Sequence, residues 1–341
     1  MIPFLHLGSL EIPTFGLMVA LAMVGAFYLL RADMARRDIA KKDSSTAEMF
    51  IVVPSLAGIA GAKLYHVLET PRELFAHPLD LLLSRYGLAW FGGLIGGFAA
   101  WVLLARMKKI PLLDSFDAGS AAAALGYGIG RIGCLLSGDG DYGVPTSLPW
   151  GMSFPNGLVP TTDTCVQQGW PANCRVHPTP IYEFVVACLI AWILWKLGAA
   201  QLASLKSRGA FVAARPGRSR GAGFGPASSS AEKSARISAR SPKSQLEAPS
   251  AKRRDNSPDT AEHAMANERA QAFPRTLASG SVFAAYLILT GIARFLVEFI
   301  RINPRSFFGM SNAQAASLAS ILAGIILWWR LSRRSVHPAN P

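Results

Sequence analysis

Residues 12–31 have the sequence IPTFGLMVALAMVGAFYLLR, in which no charged side chain precedes the final arginine. A helix of about 20 such residues can cross the roughly 30 Å hydrocarbon core of a bilayer. Six further windows are similarly rich in apolar residues, at 47–68, 86–107, 113–137, 180–199, 279–300 and 312–331. We therefore predict an all-α, polytopic membrane protein with about seven transmembrane helices.

The composition agrees with this prediction. The 341-residue chain is 51% hydrophobic and only 16% charged, whereas soluble domains carry about 25% charged residues. This largely excludes a single soluble domain. The formal net charge of +13 would, taken alone, also be compatible with a nucleic-acid-binding protein. The location of the cations along the chain decides between these interpretations.

The cations gather in segments that alternate between the predicted spans, at 31–42, 106–109 and 330–334. Because short cytoplasmic loops retain Lys and Arg, we place these segments inside, together with the one after residue 199. The N-terminus is then outside and the C-terminus inside. The first window lacks the basic flank and cleavage motif of a signal peptide, so we expect it to be retained. The other side carries Arg72, Arg85, Arg175, Arg301 and Arg305.

A change in composition interrupts the predicted membrane domain. Residues 1–199 hold spans one to five with an outer loop at 138–179, and residues 276–341 hold spans six and seven with a short cytoplasmic tail. Residues 200–275 contain 14 Lys or Arg against six Asp or Glu and few large apolar residues. We predict a disordered basic cytoplasmic insertion attracted to anionic lipid headgroups. Few aromatic residues alternate with its cations, so we expect no nucleic-acid partner.

The four cysteines are too few for a disulfide scaffold and lack the spacing of a zinc site. We expect neither a metal nor a cofactor. Cys165 and Cys174 lie in the predicted outer loop, where an oxidising periplasm favours a disulfide between them. Cys134 and Cys188 lie within spans, where a small buried apolar role is expected.

Five ionisable residues fall at predicted membrane depth, where charge is costly and commonly functional. A phosphate would suit Arg131 and Arg294, which the helix rise places at nearly the same depth near the outer ends of their spans. Alternatively, Arg131 pairs with Glu183 and Arg294 with Glu298, in a purely structural role. The fifth residue, Lys63, fits a functional role and a structural role equally well; in the structural role its amine would extend to the membrane interface.

Further polar or glycine-rich segments reach the same outer level. The fifth span begins with HPTPIYE at 177–183, and SGDGDYG at 137–143 follows the Arg131 helix. The third span begins with WFGGLIGG at 90–97, whose glycines permit close approach of a neighbouring helix. The glycines around Arg131 fit either close helix packing or a ligand crevice. We infer one site, built from four segments, for an anionic lipid headgroup.

Four motifs carry a resemblance to a known family: GGLIG at 92–96, GRIG at 130–133, HPTPIYE at 177–183 and ARFLVEFIR at 293–301. In this order and in a seven-span setting, the chain resembles a divergent branch of the prolipoprotein diacylglyceryl transferase family, over nearly all residues except 200–275. The resemblance implies transfer of the diacylglyceryl group of phosphatidylglycerol to the lipobox cysteine of prolipoproteins, forming a thioether and releasing glycerol phosphate. It also implies a multi-pass protein of the bacterial inner membrane.

The resemblance assigns roles residue by residue. Arg131 would bind phosphatidylglycerol, and Arg294 would be the second arginine that stabilises the departing phosphate. Our catalytic candidates are Arg131, Arg294, Glu183, His177 and Asp139, with Asp141 as a further candidate base. Our substrate-binding candidates are Arg131, Gly92, Gly93, Tyr182, Glu298 and Tyr65. The expected partners are phosphatidylglycerol, prolipoprotein signal peptides and membrane lipids.

Three positions depart from the family pattern. Phe91 stands where many members have His, Thr290 where a Tyr is expected, and Cys134 where an Asn is expected. The identity of the catalytic base therefore stays open, with Glu183, His177, Asp139 and Asp141 as candidates. An alternative function is that of a catalytically altered or inactive phospholipid-binding paralogue. An anion transporter is less favoured, because we find no inverted repeat of interrupted spans and no charges toward the inner half.

Overall fold

The computed structural model describes residues 2–8, 10–39, 45–71, 89–213, 277–304 and 308–336. These residues are mostly helical. A short antiparallel hairpin, β1 (Phe4–Leu7) and β2 (Leu10–Pro13), comes first. The helices are α1 (Thr14–Arg36), α2 (Thr46–Glu69), α3 (Trp90–Met107), α4 (Leu112–Ser137), α5 (Thr161–Gln167), α6 (Thr179–Ala213), α7 (Ser281–Val297) and α8 (Asn312–Val336).

Within the described residues, each of the seven predicted windows overlaps one helix of at least 17 residues. Four segments are long and apolar enough to cross a membrane, Thr14–Arg36, Thr46–Glu69, Thr179–Lys206 and Asn312–Arg333, and two shorter apolar helices are Phe91–Met107 and Ser281–Val297. Many large apolar side chains on these helices are exposed, among them Leu56, Leu103 and Leu189. Apolar surface of this extent is typical of contact with lipid. The chain therefore has the architecture of a multi-pass membrane protein.

Helix α4 lies at the centre of the helix packing. It packs against α1 and α7, and its first half is buried along a run of small residues, including Ala118, Ala121 and Ala122. Small side chains let neighbouring helices approach closely. Helices α2 and α3 also pack closely at small residues, because a side chain added at Gly61 or Gly92 would overlap the backbone of the other helix.

Two features differ from the sequence-based expectation. The all-α prediction omitted the N-terminal hairpin, which turns at Gly8 with a φ of +65° and is joined to α1 by hydrogen bonds from Thr14 to the Pro3 carbonyl. Helix α6 runs past the predicted span end at 199 to Ala213, with Gln201 fully buried. Residues 207–276 form a separate unit, of which only the backbone to Ala213 is described. The rest of the predicted insertion lies outside the described residues, as do Arg72, Arg85 and Arg305.

The segment between α4 and α6, residues 138–178, has its own small core, formed by Tyr142, Phe154, Cys165, Cys174 and Val176. The predicted disulfide between Cys165 and Cys174 is confirmed. Gly138 ends α4 with a φ of +60°, a conformation that favours glycine. A single antiparallel bridge then pairs Gly143 with Arg301, just beyond α7. This bridge brings the loop that carries Asp139 and Asp141 to the end of α7.

Candidate functional site

Glu183, in the first turns of α6, lies at the centre of a cluster of charged side chains. Arg294 of α7 donates to Glu183 Oε1 at 2.8 Å, and Arg131 Nε of α4 lies 3.2 Å from Glu183 Oε2. The structure thus brings together Arg131, Arg294 and Glu183, three of the residues that the sequence nominated. Both of the pairings considered as a structural alternative also occur, because Arg294 Nη2 lies 3.1 Å from Glu298 Oε2.

The cluster extends to Arg301 and Asp141. Asp141 forms ion pairs with both Arg131 and Arg301. Arg301 Nη1 also lies 3.6 Å from Glu183 Oε2, and Asn303 donates to Glu298 Oε1. We call these six ionisable residues the arginine cluster: Arg131, Arg294, Arg301, Asp141, Glu183 and Glu298. Its three positive and three negative charges balance when all are ionised.

Burial divides the arginine cluster into a hidden and an accessible part. The side chains of Glu183 and Glu298 are 4% and 1% exposed, whereas those of Arg131 and Arg294 are 16% and 27% exposed. Buried charges require close partners to offset the cost of removing them from water. The carboxylates therefore hold the two arginines from the buried side, while part of each arginine side chain stays exposed.

Tyr127 was not among the predicted site residues, yet it contacts the centre of the cluster. Its hydroxyl donates to Glu183 Oε1 at 2.7 Å, and the Arg131 guanidinium carbon lies 4.8 Å from the centre of its ring. Tyr127 precedes Arg131 by four residues on α4, so both share one helix face. That spacing was the one signal in the sequence, but an aromatic residue in a span is usually a packing residue.

The two loop aspartates differ in their surroundings. Burial alone would raise the pKa of Asp141, but the charges of Arg301 and Arg131 outweigh it and lower the pKa below its usual range. Burial raises the pKa of Asp139, and its hydrogen bond with the Cys134 thiol offsets only part of that rise. Asp139 accepts the backbone N–H of Asp141 at 3.2 Å. Asp139 is consequently the more basic of the two carboxylates.

Cys134 lies in the site, although we expected it only to pack as a small apolar residue. It is buried, and Arg131 Nη1 lies 3.6 Å from its sulfur. Ligand atoms of Cys134, Asp139 and Asp141 lie within 4.8 Å of one another, close enough to surround a metal ion. However, both Asp141 oxygens face guanidinium groups. A cation would have to displace both arginines, so this arrangement suits an anion-binding role better.

His177 and Tyr182 lie close to Glu183 in sequence but make a separate set of contacts. His177 Nδ1 is 3.3 Å from the Tyr182 hydroxyl, which also accepts a hydrogen bond from the Trp150 indole at 2.8 Å. Among the described side chains, no hydrogen bond or ion pair joins His177 or Tyr182 to the arginine cluster. His177 lies beside Gly143, where an added side chain would meet its Cβ at 3.0 Å, and Gly143 is paired with Arg301 of the cluster.

The remaining substrate-binding candidates lie between α2 and α3. Gly92 faces Gly61 and the Cβ of Tyr65, and Gly93 faces Gly58 and Ala62. These contacts give Gly92, Gly93 and Tyr65 a packing role. In α4, Gly128 and Gly133 likewise pack against neighbouring helices, whereas a side chain at Gly130, next to Arg131, would meet no atom within 4 Å. Close helix packing thus explains Gly128 and Gly133, and a ligand crevice at the open position of Gly130 stays a prediction.

A second charged cluster lies at the opposite end of α4, α6 and α7, where we predicted no charges. That prediction was wrong. Asp33 and Asp117 are 1% and 0% exposed, and Arg37 binds both Asp33 and the amide oxygen of Gln201. Asp117 accepts the backbone N–H groups of Gly280 and Phe283, which caps the start of α7. Arg37 falls in a predicted cytoplasmic segment, and Asp117 is not one of the five ionisable residues predicted at membrane depth.

Comparison with known proteins agrees with the family resemblance of the sequence motifs. The family model described as prolipoprotein diacylglyceryl transferase matches residues 3–214 and 265–330. A phosphatidylglycerol–prolipoprotein diacylglyceryl transferase of Clostridium tetani is 26% identical over 95% of this chain and 94% of its own length. Those of Geobacter sulfurreducens and Bordetella avium are 32% and 31% identical over 54% and 56% of this chain, covering 65% and 68% of the relatives. The chain belongs to the prolipoprotein diacylglyceryl transferase family.

Proposed function

We propose that this protein transfers the diacylglyceryl group of phosphatidylglycerol to the lipobox cysteine of prolipoproteins, a step of lipoprotein maturation. Family membership and the names of the relatives support the proposal. The observation that carries it is the meeting of Arg131 and Arg294 at Glu183. In the reaction, the thiolate sulfur bonds to the glycerol carbon that bears the phosphate. The carbon–oxygen bond breaks with its electron pair on oxygen, and glycerol phosphate leaves.

We propose seven transmembrane helices in the bacterial inner membrane, with the N-terminus outside and the C-terminus inside. Helices α1, α2, α3, α4, α6, α7 and α8 would be the spans. Residues 1–199 and 276–341 would form the membrane domain, and residues 200–275 a basic cytoplasmic insertion. The alternation of cations supports this orientation. It places the arginine cluster at the outer ends of α4, α6 and α7.

The arginine cluster would bind the lipid phosphate through Arg131 and Arg294. A guanidinium binds phosphate through two parallel hydrogen bonds, and both arginines keep part of their surface accessible. As the carbon–oxygen bond breaks, negative charge grows on the departing phosphate. Two cations already in position stabilise that charge more than they stabilise the bound lipid.

The nearby carboxylates favour Asp139 as the base that takes the thiol proton. A lipobox thiol with a pKa of about 8.5 is mostly protonated at neutral pH, so attack needs a base or nearby cations. Asp141 is held by Arg131 and Arg301, which lower its pKa and make it a weak base, and both oxygens of Glu183 are engaged by arginines. Asp139, with its raised pKa, is better matched to this step. His177 and Tyr182 border the site and would contact the peptide or the phosphate.

The lipid would reach the cluster sideways between helices, near the open position at Gly130. We propose that Gly92, Gly93 and Tyr65 act on the substrate indirectly, by allowing α2 and α3 to pack closely. Phe91 and Thr290 motivate the alternative of an inactive lipid-binding paralogue.

Complementation of a transferase-depleted bacterium tests the proposed function. Rescue of growth together with a thioether-linked lipoprotein supports the enzyme. Failure to rescue, combined with tight phosphatidylglycerol binding by the purified protein, supports the inactive paralogue. Solute flux in proteoliposomes without a thioether product would instead favour a transporter. An Arg131→Ala variant expressed to the same level is the matched control.

A further inference from the structure

We propose that Tyr127 is a positioning residue of the lipid-transfer site, which holds the Glu183 carboxylate in place while Arg131 and Arg294 turn to the phosphate. This inference rests on the proposed function. No motif in the sequence nominates Tyr127, and its role follows from its contacts. Tyr127 is also 44% exposed, although it lies within a helix that we propose to span the membrane. The phenol therefore borders the region from which the lipid would approach.

Tyr127 contacts the Glu183 carboxylate, which also binds the arginines. Its Oε1 is shared by the Tyr127 hydroxyl at 2.7 Å and Arg294 Nη1 at 2.8 Å, and its Oε2 faces Arg131 and Arg301. A phosphate that binds Arg131 and Arg294 competes with Glu183 for both guanidinium groups. A carboxylate that is 4% exposed cannot regain water as compensation. The Tyr127 hydroxyl continues to donate a hydrogen bond to Glu183 while the arginines exchange the carboxylate for the phosphate.

Tyr127 also contacts Arg131 through its ring. Its guanidinium carbon lies 4.8 Å from the centre of the Tyr127 ring, within the range of a cation–π contact. Tyr127 and Arg131 are four residues apart on α4, so the helix fixes their spacing. The ring limits the motion of the guanidinium without using its N–H groups. Those groups bind Asp141 and Glu183 and would exchange these partners for phosphate.

Thr290 stands where the family resemblance led us to expect a tyrosine. The Thr290 hydroxyl donates to the backbone carbonyl of Tyr286, one turn earlier, at 2.6 Å. It is therefore engaged within its own helix. Tyr127, from α4, brings a phenol hydroxyl to the carboxylate that Arg294 binds.

The test compares Tyr127→Phe with wild type in phosphatidylglycerol-containing proteoliposomes and a lipobox peptide. Tyr127→Phe keeps the ring but removes the hydroxyl. We expect kcat to fall about 10- to 100-fold, the effect of losing one hydrogen bond to a charged group. KM for phosphatidylglycerol should change much less, because Arg131 and Arg294 remain. Tyr286→Phe, which removes the hydroxyl of a half-buried tyrosine of α7 outside the arginine cluster, should leave kcat near the wild-type value.

The outcomes separate this inference from the proposed function. An active wild type with an unchanged kcat in Tyr127→Phe overturns the role of Tyr127 and leaves the function standing. An equal loss in Tyr286→Phe also overturns it, because the effect is then general destabilisation. A wild type that forms no thioether product overturns both. Should Tyr127→Phe not fold, Tyr127→His, which keeps a ring and an N–H donor, is compared with Tyr127→Leu. Greater activity of the His variant supports the inference, and equal loss contradicts it.

Discussion

Arg131 and Arg294 are joined through one carboxylate: Arg131 Nε lies 3.2 Å from Glu183 Oε2, and Arg294 Nη1 lies 2.8 Å from Glu183 Oε1. The two arginines belong to helices that are distant in sequence, and Glu183 belongs to a third. Their spacing is therefore set by the packing of α4, α6 and α7 together. This arrangement holds two cations close enough to act on the same phosphate group.

The first prediction concerns the geometry of Arg294. Arg294→Ala should lower the rate of lipid transfer about 10²- to 10³-fold, as expected for loss of one group that stabilises transition-state charge. Arg294→Lys should recover only part of this loss, since an ammonium lacks the planar pair of donors. Initial rates of thioether formation measure both effects. Equal activity of Arg294→Lys and wild type would show that charge alone is required.

The second prediction concerns pH. Asp139 acts as a base only when ionised, and burial raises its pKa. Activity should thus fall with decreasing pH at a higher pH than an ordinary aspartate would give. The acid limb of kcat/KM for the free enzyme reports this pKa. Asp139→Asn should remove most of the activity together with that limb. A limb of unchanged position in the residual activity of Asp139→Asn would assign the base elsewhere.

The third prediction concerns the stability of the second charged cluster. Asp117 is fully buried, caps the start of α7 and accepts a hydrogen bond from Gln201 at 2.8 Å. Asp117→Ala should lower the free energy of unfolding by about 3 to 5 kcal/mol, because it leaves the buried N–H donors of Gly280, Phe283 and Gln201 without their acceptor and removes a negative charge beside Arg37. Asp114→Ala is the matched control, since Asp114 is less buried and accepts a hydrogen bond from Ser279. Thermal unfolding in detergent compares them, and equal losses would contradict the assignment.

The fourth prediction concerns the proposed insertion. The family model leaves residues 215–264 unmatched, and Gln201 donates to the Ala278 carbonyl at 2.7 Å, which joins the two flanks directly. Replacing 215–264 by a short flexible linker should preserve most of the transfer activity, because loop length costs little free energy. In contrast, Gln201→Ala should destabilise the protein. Loss of activity in the shortened protein with normal folding would show that the segment takes part in catalysis or substrate delivery.

Much of the fold and part of the site could be predicted from the sequence. Apolar windows located the long helices, because a hydrophobic stretch of that length has few alternatives to a span. The meeting of Arg131, Glu183 and Arg294 was predicted from helix rise and from the order of the predicted spans. The disulfide followed from two cysteines in one loop. Each of these inferences uses only local spacing along the chain.

The remaining features depend on contacts between distant segments. Arg37 and Asp117 are 80 positions apart in sequence, and only the packing of α1 against α4 brings them into one buried cluster. The choice between Asp139 and Asp141 depends on the left-handed Gly138 and on the pairing of Gly143 with Arg301. Tyr127 could not be told from a packing residue without knowing where Glu183 lies.

We propose that the arginine cluster catalyses transfer of a diacylglyceryl group to a cysteine thiol. The most direct measurement is the mass of a lipobox peptide after incubation with the purified protein in phosphatidylglycerol-containing proteoliposomes. The account predicts a thioether-linked diacylglyceryl adduct with wild type and none with an Arg131→Ala protein that inserts and folds normally. An unmodified peptide with wild type, or modification at the wild-type rate by Arg131→Ala, would contradict it.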